Sequence, residues 1–84
     1  MTHHEKPKNY PNSLQDLAEE IGDLRYDSLA LFLDFLSEKM KKDAEKDLAS
    51  NRVKLAKNLF ATAEKLHEAK IEIDTAWEIC EPYM

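Results

Sequence analysis

From Ser13 to Glu81 the chain has no proline, and it has only one glycine, Gly22. Proline ends helices because it lacks the N–H and clashes with the preceding turn, so nothing in this stretch forbids very long helices. Cysteine is nearly absent as well. Cys80 stands alone, which excludes an intrachain disulfide and fits a reducing compartment. Long apolar runs are missing too. The longest, Leu29–Leu36, is interrupted by Asp34 and is too short to span a bilayer. Net positive charge is lacking. At −5 the chain is poorly suited to general binding of nucleic-acid phosphates. Residues 1–12 carry His3, His4, Lys6, Lys8, Pro7 and Pro11 without the apolar core of a secretory signal. The expected location is the cytoplasm, with no membrane contact.

What the chain does have is apolar residues at three- and four-residue steps almost throughout. Eighty-four residues make one domain at most, and a core of that size is marginal. Residues 1–12 read as a flexible tail. Asn12 or Ser13 is a good N-cap, and Asp16, Glu19 and Glu20 favour the positive end of a helix that starts there. The first helix is expected over 13–47, a turn over 48–51 and a second helix over 52–81, stopped by Pro82. Asn51 can take the left-handed conformation that ends a helix. The fold class expected is therefore all-α: two long antiparallel helices in a hairpin, roughly 50 Å long at 1.5 Å per residue.

The first helix carries two stripes. One is Leu14, Leu17, Ile21, Leu24, Ser28, Leu31 and Phe35, with heptad spacing. The other is Leu29, Phe32, Leu33, Leu36 and Met40. The second helix carries Ala56, Leu59, Ala63, Leu66, Lys70, Ile73, Trp77 and Cys80. A single hairpin covers only one stripe of its first helix, so the other needs a second chain. The expectation is a homodimeric four-helix bundle with Leu29, Phe32, Leu33, Leu36 and Met40 as its seam. Charge sets its direction. Residues 38–57 hold seven basic groups and four acidic ones, a net of +3, which leaves −8 for the remainder. Antiparallel hairpins place each basic turn beside the partner's acidic open end. The basic turn has no aromatic residue on which bases could stack, so nucleic acid is disfavoured as a partner and another protein is the alternative to self-association.

Three stretches carry candidate chemistry. Glu64 and His67 share one helix face in a Glu-x-x-His pattern of the kind used by ferritin-like di-iron bundles. If the turn centres near residue 50, Asp34 lies at the level of His67 and Glu38 near Glu64. Asp34, Glu64 and His67 are thus a candidate site for iron or manganese, two copies of which a dimer would supply. The competing reading is a polar pin that sets register inside the bundle. Trp77, Cys80 and Tyr83 lie together near the C-terminus, either as a docking patch or as packing against Leu14, Leu17 and Ile21. Cys80 has no neighbouring cation in sequence to activate it. The third stretch, Glu19-Glu20-Ile21-Gly22-Asp23-Leu24, resembles the Glu-Glu-x-Gly-Asp motif of the all-α nucleotide pyrophosphohydrolases. That resemblance implies magnesium held by Glu20 and Asp23 near a nucleotide's phosphates. Acidic residues near a helix N-terminus and a close helix approach at Gly22 account for the same stretch without chemistry. With no dense catalytic constellation, the favoured reading is a non-enzymatic interaction module needing no cofactor.

Overall fold

The computed structural model describes residues 3–84; Met1 and Thr2, at the start of the expected tail, lie outside the described residues. Among the described residues the chain is all-helical: α1 (Leu14–Gly22), α2 (Tyr26–Ala49), α3 (Val53–Cys80) and a closing 3-10 turn (Glu81–Tyr83) that contains Pro82. α2 and α3 pack along each other as an antiparallel hairpin, the one extensive helix–helix contact of the fold, in a molecule 49 Å long. No helix among the described residues is long and apolar enough to cross a membrane.

The hairpin seam is built from small residues. Ala30, Ser37 and Ala44 repeat every seven positions on α2, and Ala56 and Ala63 do so on α3; all five are buried. Residues one heptad apart stay on one helix face, so these two rows meet along the pair. The Ser37 hydroxyl donates to the Ala63 carbonyl at 2.7 Å. A serine side chain reaches a facing main-chain oxygen only when the two backbones lie close, toward the short end of the usual 8–10 Å axis separation. This corrects the expected seam of the first helix. Leu31 and Phe35, expected to face α3, are 52% and 65% exposed. On α3 the expected stripe holds: Ala56 and Ala63 are buried, and Leu59, Leu66, Lys70, Ile73, Trp77 and Cys80 are half-buried.

The turn between α2 and α3 closes as a Schellman motif. The Arg52 amide donates to the Asp47 carbonyl at 2.8 Å and the Asn51 amide to the Leu48 carbonyl at 3.0 Å. Asn51 sits at φ 62°, the left-handed position that the motif demands. Apolar residues often touch across this motif. Here the buried Asp47 carboxylate takes that place, its Oδ1 accepting from Arg52 Nε at 2.9 Å. Its Oδ2 is buried without a hydrogen-bond partner. Asn51→Gly is expected to keep or slightly raise stability, because glycine carries no Cβ penalty at positive φ. Asn51→Val is expected to lose about 1–2 kcal/mol through the clash of its Cβ with the following carbonyl. Urea unfolding of the two variants measures the difference, and equal midpoints would contradict a left-handed Asn51.

The single helix expected over 13–47 is in fact two. Ser13 caps α1, its Oγ accepting from the Asp16 amide at 3.1 Å. Gly22 is the last residue of α1, and a Cβ built there would meet nothing within 4 Å, so no close helix approach accounts for it. Its low helix propensity instead makes this a weak point in the helix. Two residues beyond the Asp23 C-cap the backbone turns extended, at Arg25 with φ −54° and ψ 141°. Arg25 then grips Asp27 with two hydrogen bonds, Nε to Oδ1 at 2.6 Å and Nη2 to Oδ2 at 2.8 Å, while Asp27 Oδ1 also accepts from the Ser28 amide. The carboxylate beside the first free amides of α2 favours a new helix start. The hydrogen bond from Arg25 holds the Asp27 carboxyl below the usual carboxylate range. Residues 3–12 form neither helix nor strand; the Tyr10 hydroxyl donates to Glu20 on α1.

Candidate functional site

The Ala30–Ser37–Ala44 row divides α2 into two sides. At roughly 100° per residue, Asp34, Glu38 and Lys41 fall on one side of it and Leu33, Leu36 and Met40 on the other. Ala56 and Ala63 divide α3 in the same way, with Phe60, Glu64 and His67 on one side and Leu59, Leu66 and Ile73 on the other. The polar sets meet in a groove of about 430 Å³ lined by Asp34, Ser37, Glu38, Lys41, Phe60, Ala63, Glu64 and His67. The apolar sets therefore share the opposite face of the hairpin.

In the groove the structure brings together all three residues of the candidate metal set. His67 Nδ1 lies 4.0 Å from Asp34 Oδ1. Glu64 and Glu38 line the same groove, as antiparallel geometry about residue 50 requires. Both side chains of the His67–Asp34 pair keep substantial contact with solvent. Among the described residues no three His, Cys, Asp or Glu side chains are grouped to hold a metal ion.

On the opposite face, four of the five residues expected at a dimer seam, Leu29, Leu33, Leu36 and Met40, are half-buried beside the small-residue row, and Phe32 is 36% exposed. Leu59, Leu66 and Ile73 of α3 are half-buried beside them. Sequence reasoning missed the row of small residues that carries this face. Its signal was present as Ala30, Ser37 and Ala44 at heptad spacing, masked by the larger residues around them.

The acidic motif at the end of α1 is engaged locally. Glu20 accepts from the Tyr10 hydroxyl, and Asp23 is the C-cap of α1, its amide donating to the Glu19 carbonyl at 3.0 Å. No group of donors for magnesium forms around them among the described residues. At the C-terminus, Trp77 is half-buried under the Arg25 guanidinium, 5.4 Å from the ring centroid to Arg25 Cζ. Cys80 is half-buried, with Sγ 3.8 Å from the Trp77 carbonyl oxygen. Tyr83 is 89% exposed and Leu14 55%, so the packing expected between that patch and Leu14 is not formed. Elsewhere along the hairpin, helical ion pairs hold the surface. Lys39 pairs with Asp43 at 2.7 Å, and that hydrogen bond keeps the Asp43 carboxyl low. Lys70 pairs with Asp74 at 2.7 Å, which raises the Lys70 ammonium.

Compared with known proteins, the chain matches no family model, no curated protein and no solved structure.

Proposed function

We propose that this chain is a non-enzymatic helical hairpin that pairs antiparallel with a second copy into a four-helix bundle, and that the dimer acts as a protein-interaction or regulatory module. One observation supports this reading above the rest. Apolar residues make up 43% of the sequence, yet the buried residues are Ala30, Ala44, Ala56, Ala63, Ser37 and Asp47. Among the described residues no leucine, isoleucine, phenylalanine or tryptophan is fully buried. A pair of helices is one layer, and a stable domain sets a second layer on the apolar face of the first. A second hairpin laid over Leu29, Phe32, Leu33, Leu36 and Met40 supplies that layer. The +3 turn region and the acidic remainder favour the antiparallel arrangement. A lone Cys80 thiol suits the cytoplasm.

Sedimentation velocity and native mass spectrometry of untagged, chelator-free protein test this. The expected species is a dimer of 9.8 kDa chains without bound metal. A monomer at micromolar concentration overturns the bundle. A dimer that retains iron or manganese replaces the interaction module with a metal bundle built on Asp34, Glu64 and His67.

A further inference from the structure

A groove lies at the C-terminal end of α2, where the N-terminal segment meets the α2–α3 turn. It measures about 800 Å³, within the size range of small-ligand sites. Three parts of the chain form it: residues 3–8, the last turns of α2, and the α2–α3 turn. Its lining holds five cationic side chains, Lys6, Lys8, Lys39, Lys46 and Arg52, against two carboxylates, Asp43 and Asp47, a net of +3 in a chain of net −5. Asp43 pairs with Lys39 and Asp47 pairs through Oδ1 with Arg52, while Asp47 Oδ2 is buried without a hydrogen-bond partner. Lys6, Lys8 and Lys46 have no ion-pair partner among the described residues, and His3 and His4 stand beside them.

Two helix ends meet at the groove, the C-terminal turn of α2 through Lys46, Asp47, Ala49 and Ser50, and the N-cap of α3. Ser50 and Arg52 bring the groove to the start of α3, whose N-cap Arg52 makes no side-chain cap bond and whose first turn has no acidic residue. The two ends carry opposite partial charges, so the cationic side chains set the sign of the groove. No aromatic side chain lines the groove, so it offers phosphate recognition without a platform for bases.

We propose that this groove is an anion site for a compact polyphosphate group, bound through Lys6, Lys8 and Lys46. The groove forms within one chain, so the proposal does not rest on dimerisation. The test is an amide-resolved NMR titration of the full chain with inorganic triphosphate, repeated with a nucleoside triphosphate. The expected result is saturable shifts at residues 46–55, with the same affinity for both ligands. Lys6→Glu combined with Lys46→Glu is expected to weaken binding by at least about tenfold. Lys65→Glu, an exposed reversal outside the groove, is expected to leave binding within about twofold. Absent or unsaturable shifts overturn the site, as does an equal loss in Lys65→Glu, which reports only general charge. Binding of the nucleotide alone overturns phosphate recognition.

Discussion

Ala63→Leu is expected to destabilise the hairpin by about 3 kcal/mol, the upper end of the usual cost of overpacking. Ala63 is buried between α2 and α3, and its carbonyl accepts the Ser37 hydroxyl at 2.7 Å. A leucine there has no space beside Ser37. The helices must part, which breaks that bond and loosens the packing of Ala44 on Ala56. Against a total stability on the order of 5–10 kcal/mol for a chain of this size, the loss is large. Thermal unfolding followed by circular dichroism is expected to show a midpoint lower by more than about 10 °C. Ala61→Leu is the control, because Ala61 is exposed on the same helix. Equal midpoints for the two variants would mean that the backbones do not approach closely at Ala63.

Leu33→Asp is expected to weaken the proposed dimer by at least about 100-fold. Burial of a leucine is worth about 1.5–3 kcal/mol, the residue occurs twice in a symmetric dimer, and a carboxylate in the seam adds a desolvation cost. Leu33 is already half-buried within its own chain, so part of its effect falls on the hairpin itself. Phe32→Asp separates the two effects. Phe32, 36% exposed in the single chain, keeps more solvent contact than Leu33, so its replacement is expected to cost the hairpin less while breaking the pair. Phe35, 65% exposed, lies away from the proposed seam, and Phe35→Asp is expected to leave association unchanged. Sedimentation equilibrium of the three variants reads the constants. Dissociation in Phe35→Asp alone would move the partner to the Leu31–Phe35 side of α2, and a dimer unaffected by all three would remove the seam assignment.

The polar groove and the apolar face differ in how well the sequence announced them. Asp34 and His67 fall at one level because an antiparallel pair turning near residue 50 must place them so, and the 4.0 Å contact agrees. That inference needed only the turn position and the helical rise. It could not say whether a metal joins them, because ligand geometry depends on side-chain directions that spacing leaves open.

Local chemistry was enough for the helical content, the turn and the last stop. An unbroken run without proline permits long helices, Asn51 tolerates positive φ better than most residues, and Pro82 cannot continue α3. These are properties of single residues and their immediate neighbours. Two features rest on the tertiary structure. At the break at 23–25, Gly22 and the neighbouring Arg25–Asp27 pair are local, but the seat of the Arg25 guanidinium over Trp77 comes from the packing of distant segments. The choice of stripe depends on distance. Leucine and phenylalanine dominate any reading of periodicity, yet Leu31 and Phe35 stay exposed while Ala30, Ser37 and Ala44 are buried. Only small side chains let two backbones come close enough for a serine hydroxyl to reach the facing carbonyl. Hydrophobic patterning weighs the size of a residue, and close packing rewards the lack of it.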